Sequence, residues 1–194
     1  NRGNLGCVQF EGEYFNATDS RRAIRIKSEY VTGLPQADPF LYHVREGELK
    51  ANENYPEMSR LFPTEYSAEL FIPFDVLREL RKALEDTHKE TIDDELRKMQ
   101  VVFAEGAISL QAKQHENDDT NKLRIINGIS VSGEHPIKFV INSGYLKDAL
   151  LTASKMRRYA NVDGIKLKYI SPLRPITITD GAMYEMIILP IRKY

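Results

Sequence analysis

The sequence predicts an α+β fold, and three observations carry that reading. Short runs of β-branched and aromatic residues alternating with polar ones dominate the chain. Helical periodicity is confined to two segments, near 74–85 and 145–159. Strand and helix signals also recur in one order, strand–helix–strand–strand–strand, over about 71–132 and again over 137–189. That is an internal repeat of about sixty residues, visible in pattern rather than identity. Two such units side by side predict a layer of strands backed by two helices.

Taken in order, the first elements are short strands. Cys7-Val8-Gln9-Phe10 alternates, Glu11-Gly12-Glu13 turns, and Tyr14 to Ile26 continues with an interruption at Asp19-Ser20. Between Thr32 and Asn54 the pattern weakens. Gly33, Pro35, Asp38-Pro39 and a Glu46-Gly47 turn mark a connector with room for one more strand. Residues 1–50 thus hold one unit's worth of strands and no convincing helix. Pro56 to Pro63 is a loop bracketed by prolines.

Ile72-Pro73 opens the first helix, with proline where the first turn has a donor to spare. Leu77, Leu80 and Leu84 form its apolar stripe beside Val76, and the charged stretch from Thr87 to Arg97 reads as a helix end plus a solvated excursion. Strands follow at 99–104 and 107–112 around a Glu105-Gly106 turn, then at 122–126, 128–132 and 137–141. His115-Glu116-Asn117-Asp118-Asp119 is an acidic loop tip. Asn142-Ser143 supplies N-cap chemistry for a second helix running to about Tyr159. The chain ends in strands at 165–170, 176–179 and 184–189, with Asp180-Gly181 turning the last pair.

Composition narrows the function classes. The chain has 194 residues, enough for one good core or for one domain plus part of a second. Its 42% apolar and 28% charged residues are ordinary for a globular protein. With net charge −1, any nucleic-acid contact needs a segregated basic face. Cys7 is the only cysteine, so no internal disulfide can form and a reducing cytoplasmic setting is expected. No signal peptide and no apolar run of about 18 residues is present, so no membrane role is expected. A start at Asn1 without Met suggests a processed or excised piece.

The C-terminal run Met186-Ile187-Ile188-Leu189-Pro190-Ile191-Arg192 is unusually apolar for a terminus. Pro190 lacks a backbone donor, so a strand through Ile188 is expected to release Pro190 and Ile191 as an apolar lip with Arg192 beside it. Such a lip suits a peptide groove. Its plain reading is a last strand tucked into the core.

This tail, with Ile165-Lys166-Leu167-Lys168-Tyr169 and Pro172-Leu173-Arg174-Pro175-Ile176 before it, resembles the end of a bacterial sliding clamp. That family is the β subunit of the replicative DNA polymerase III. Phe15-Asn16-Ala17-Thr18-Asp19-Ser20-Arg21-Arg22-Ala23 resembles the family's Ala-Thr-Asp-Gly-His-Arg-Leu turn. Tyr55-Pro56-Glu57-Met58-Ser59-Arg60-Leu61-Phe62-Pro63 resembles its connector into the last domain. The resemblance implies part of a penultimate clamp domain over 1–54 and a complete C-terminal domain over 55–194.

It also implies a peptide pocket. The turn would contribute Thr18, Ser20, Arg21, Arg22 and Ala23; the connector Pro56, Arg60 and Leu61; the tail Ile187, Leu189, Pro190, Ile191 and Arg192. Leu5 aligns loosely as a further wall. Aliphatic walls suit leucine or phenylalanine anchors, and Arg and Thr groups suit peptide polar atoms. Ser20-Arg21 stands where the family has Gly-His, Ala23 where it has leucine, and Lys193-Tyr194 runs past the usual end, so peptide preference is open.

On the second helix, Lys147, Lys155 and Arg158 fall within a sector of about 80°, opposite Leu146, Ala149, Leu150, Ala153 and Met156, with Asp148 at its edge. A charged helix face is ordinarily just solvated; this one lacks balancing carboxylates. In sliding clamps such helices face duplex DNA and touch phosphates without reading bases. Arg78 and Lys82 on the first helix are weaker candidates among Asp75, Glu79, Glu85 and Asp86.

Catalytic patterns are missing: His43, His88, His115 and His135 are scattered, no phosphate-binding glycine loop occurs, and no metal or cofactor is expected. The resemblance implies a processivity factor that encircles DNA, docks peptides of polymerases and repair proteins, and is opened by a clamp loader. Full-length chains would close a ring as homodimers, and this piece alone is expected to be a monomer. A free-standing peptide-binding module without DNA contact is the alternative, and a small-molecule enzyme on an α+β fold is another.

Overall fold

A computed structural model describes residues 3–34, 40–51, 54–113, 122–133 and 136–192. The predicted acidic tip at 115–119 lies outside the described residues. The first part of the chain holds β1 (Cys7–Glu11), β2 (Tyr14–Thr18), β3 (Arg22–Lys27), β4 (Phe40–His43) and β5 (Glu48–Lys50). Where one further strand was expected there are two, because the turn at 44–47 folds β5 back on β4. A connector carrying the 3₁₀ turn Met58–Leu61 follows.

The first unit is β6 (Ala68–Pro73), α1 (Phe74–Glu90), β7 (Lys98–Ala104), β8 (Ala107–Ala112) and β9 (Arg124–Asn127), with β10 (Ser130–Gly133) after it. The second is β11 (Ile137–Asn142), α2 (Ser143–Met156), β12 (Gly164–Tyr169), β13 (Ile176–Thr179) and β14 (Tyr184–Ile188). The repeated order therefore stands. Its strands, however, divide between two antiparallel sheets, with order β10-β6-β12-β13-β14-β3-β2-β1-β4-β5 in the larger and β11-β7-β8-β9 in the smaller.

The units are interlaced. Strand β6 pairs with β12, and β11 pairs with β7, so each unit's first strand completes a sheet of the other. Matching hydrogen bonds mark the exchange. Phe74 donates its backbone N–H to Asp163 at 3.1 Å, and Ser143 donates to Arg97 at 3.0 Å, each first helical residue reaching the carbonyl just ahead of the other unit's strand. This satisfies one orphan donor at each helix start. Each helix buries a single stripe and leaves its opposite face to solvent. Leu77, Leu80 and Leu84 of α1, with Leu146, Leu150 and Ala153 of α2, share one core with residues of both sheets.

At its C-terminus α2 ends at Met156, earlier than predicted, and a 3₁₀ turn at Arg157–Tyr159 follows. Such tightening satisfies final carbonyls before the extended Ala160 leads back to β12. Arg158 therefore sits beyond the α-helical face on which its position was reckoned. Strand β3 lies beside β14, so the first part of the chain extends the larger sheet without a break. The first part has its own small core, in which Phe10 and Phe40 stack at 5.6 Å between ring centroids.

Candidate functional site

The bend between β2 and β3 is built by its own side chains. Asp19 Oδ1 accepts the backbone N–H groups of Arg21 (2.9 Å) and Arg22 (3.0 Å). Thr18 Oγ1 donates to the Arg22 carbonyl at 2.9 Å and accepts the Ser20 N–H at 3.1 Å. An Asp two residues ahead of a backbone donor is a common device for such turns. Ser20 takes φ +74°, the left-handed region that glycine enters most freely.

Arg22, the first residue of β3, ties this bend to α2. Its Nε donates to Asp19 Oδ2 at 2.8 Å and its Nη1 to Asp148 Oδ2 at 2.7 Å. Its guanidinium also lies 4.8 Å from the Tyr145 ring centroid. Burial opposes charge on both partners but is outweighed. Hydrogen bonds to Asp148 and Asp19 raise the Arg22 pKa above its usual value. Donors from Arg21 and Arg22 hold the Asp19 carboxyl below the usual carboxylate range.

Between the bend, β14 and α2 lies a cleft of about 320 Å³. Strand alternation explains its floor. Ala17, Ile24 and Met186 form one cross-strand row, and Arg22 with Ile188 forms another on the same face, toward α2. Ala149 and Thr152 of α2 make the opposite wall. Ala23 pairs with Ile187 on the intervening row; both border the cleft, and both pack with Met58 and Phe62 of the connector on the sheet's other face.

The predicted pocket residues thus divide. Thr18, Arg22, Ala23 and Ile187 border the cleft. Ser20 and Arg21 are exposed at the tip of the bend, and Pro56, Arg60 and Leu61 are exposed on the connector. Leu189 is exposed, but its N–H still donates to Arg21 at 3.0 Å. Past Pro190 the chain leaves the larger sheet, and Ile191 donates to Val140 of β11 at 2.8 Å, with Arg192 exposed beyond it. Leu5, half-buried in a 3₁₀ turn at Gly3–Gly6, is not among the cleft residues. The sequence reading does not bring Asp148, Ala149 or Thr152 to the pocket: it places Ala149 on the apolar side of α2 and Asp148 at the edge of the cationic sector, and the pocket positions came from other segments. It also missed Met186 and Ile188, although alternation with Ile187 was a signal for them.

The basic residues form a second constellation. Arg81 Nη1 donates to Ser154 Oγ at 2.9 Å and sets α1 and α2 side by side. Arg78, Lys82, Lys155, Arg157 and Arg158 are exposed; Lys147 is half-buried. Ser154, Lys155, Arg157 and Arg158 line a second hollow. Arg157, unassigned from sequence, stacks on Phe74 at 4.8 Å. Among the described residues no group of three His, Cys, Asp or Glu is placed to hold a metal ion, and no helix is long and apolar enough to cross a membrane.

No protein-family model and no characterised protein matches the sequence. Solved structures do match it. The DNA polymerase III β subunit of Borrelia burgdorferi, in complex with a natural product, superposes with TM-score 0.77 at 16% identity. All of this chain is covered, against 58% of that one. The chain has the sliding-clamp fold. The β subunit of Streptococcus pyogenes gives TM-score 0.72 at 17% identity, covering 100% of this chain and 60% of that one. A sliding clamp from Bartonella birtlesii bound to griselimycin gives 0.73 at 15%, covering 99% and 59%. The clamp fold is thus present over about three-fifths of the length of these clamps.

Proposed function

We propose that this chain is the C-terminal part of a DNA polymerase sliding clamp, a processivity factor that holds its partners at DNA by tethering. The observation that carries the reading is the clamp fold across the chain, with a basic hollow at the end of α2 and an apolar cleft between the bend and α2. Residues 1–54 are read as part of the penultimate domain and 55–194 as the last one. The ring would be completed by sequence outside this chain.

The cleft and the neighbouring connector would take a short peptide carrying leucine or phenylalanine anchors. Ile24, Met186 and Ile188 offer aliphatic surface, and Arg22 and Thr18 offer polar atoms at the rim. Clamps of this fold have been solved with griselimycin and with a natural product bound, which supports a ligand site on the fold. Lys155, Arg157 and Arg158, with Arg78, Lys82 and Lys147, would neutralise phosphates of encircled duplex without reading bases, so the ring could slide. A docked enzyme then rebinds its template as an intramolecular event at raised effective concentration. The clamp loader that opens such a ring, and the homodimer that closes it, belong to the same reading.

Two measurements test it. Fluorescence anisotropy with a labelled leucine-anchored peptide should show saturable binding that Thr152→Arg, filling the wall of the cleft, abolishes. Charge reversal of Lys155, Arg157 and Arg158 should weaken duplex retention by the assembled ring and flatten its salt dependence. Peptide binding that ignores Thr152→Arg removes the docking role. Unchanged DNA retention would leave only a free-standing interaction module.

A further inference from the structure

We infer that Asp148 sets the width of the cleft, and with it the peptide anchors admitted, by holding Arg22 across the rim; this deepens the docking reading above. The bend at 18–22 is internally fixed. Asp19 gathers the N–H groups of Arg21 and Arg22, and Thr18 closes on the Arg22 carbonyl. It is therefore held as one unit, seated on β14 through the Leu189 N–H to Arg21 bond and the Arg22–Ile188 pair. What fastens that unit to α2 at the rim is Arg22, through the 2.7 Å hydrogen bond to Asp148 and the stack on Tyr145.

The two walls of the cleft are joined at this clasp. Asp148 precedes Ala149 and lies one turn before Thr152, so the carboxylate that grips Arg22 stands directly over the apolar wall. The Thr152 hydroxyl donates to the Asp148 backbone carbonyl at 2.9 Å, and Arg22, Asp19 and Asp148 are the charged groups lining the cleft. Small side chains, Ala17 and Ala149, leave space below. A slim aliphatic anchor fits under the closed clasp. A broad aromatic anchor requires the bend and α2 to separate, which breaks the ion pair.

The clasp is also screened by salt. Side-chain exposure of 35% for Arg22 and 52% for Asp148 puts the pair in the class weakened by ionic strength. Selectivity between anchors should therefore fall as salt rises, a signature that a merely structural ion pair would not give.

The test uses two synthetic peptides identical except for one anchor, leucine or tryptophan. Their affinities are measured by anisotropy for the wild-type chain, Asp148→Asn and Asp148→Ala, at about 50 mM and about 500 mM salt. Thermal melts followed by circular dichroism establish that each variant is folded. The expected result is a wild-type preference for leucine. In both variants tryptophan binding tightens by about threefold to tenfold while leucine binding holds within about twofold. Added salt should move the wild type toward the variants. An identical leucine-to-tryptophan ratio in all forms at both salts overturns this inference alone. Absence of binding by every form overturns the docking reading and this inference with it.

Discussion

His88 Nδ1 lies 2.8 Å from Ser143 Oγ, at the point where the end of α1 meets the start of α2. Arg97 Nη1, which can only donate, sits 3.3 Å from His88 Nε2, so the neutral ring with its proton on Nδ1 satisfies both contacts. Ser143 Oγ is 2.8 Å from Thr91 Oγ1, which donates to the His88 carbonyl at 2.8 Å, closing a buried polar circuit. Burial first, then the nearby Lys147 and Arg97 charges, push the His88 pKa down, with Asp148 and Glu85 partly opposing.

This circuit predicts a pH dependence. Above the ordinary histidine value of about 6.5 the ring is neutral in both states and contributes no slope. As pH falls below that value the unfolded chain takes up the proton first, so stability declines until the folded value is reached. Asp19, with its depressed pKa, adds a separate loss that begins only below the ordinary aspartate range. Urea unfolding between pH 7 and 5 should show the first decline, and His88→Ala should abolish that slope while lowering stability throughout by about 1–3 kcal/mol.

Ser20→Gly should stabilise the chain. Serine at φ +74° is held where its Cβ is disfavoured, whereas glycine enters freely. The gain expected in urea unfolding is about 0.5–1 kcal/mol, less whatever glycine adds to unfolded-chain entropy. A lower midpoint for the variant would show that the bend does not need this conformation.

Gly164→Ala should destabilise strongly. A Cβ at this position would run into the Ile72 carbonyl oxygen and the Phe71 ring, on the strand pair that joins the two units. Backbone cannot yield as a side-chain tip does, so a loss of about 1–3 kcal/mol or more is expected in thermal or urea unfolding.

Asn142→Ala should remove a helix cap and a loop tether together. Its Oδ1 accepts the Tyr145 N–H at 3.1 Å and its Nδ2 donates to the Leu96 carbonyl at 2.9 Å. Loss of about 1–2 kcal/mol is expected by urea unfolding, in the upper part of the capping range because two bonds are lost.

Asn142 was legible because cap chemistry is local: one side chain reaches a donor three residues on. The β7–β8 turn and the strand at 176–179 were legible for the same reason, and the start of α1 nearly so: Pro73 is the extended cap that ends β6, and the helix begins one residue later at Phe74. Thr87, His88 and Thr91 were not. They continue the spacing of Leu80 and Leu84 along the buried stripe, but polar side chains there read as a solvated helix end. His88 and Thr91 meet Ser143, and Thr87 meets Arg124, partners distant in sequence. Sheet membership was hidden too, since alternation tells which face of a strand is covered and says nothing of which strand lies beside it. For the cleft, the bend and β14 were visible as motifs, while the α2 wall arises from packing.

The reciprocal strand pairing has a consequence for how the chain reaches its native state. Neither half offers a complete surface until the other has emerged and docked, so the contacts that seal the core join residues far apart along the chain. Folding is then expected to be slow, with a late cooperative step and a long-lived collapsed precursor exposing bare strand edges. Chaperone assistance and low growth temperature should accordingly raise the yield of intact protein.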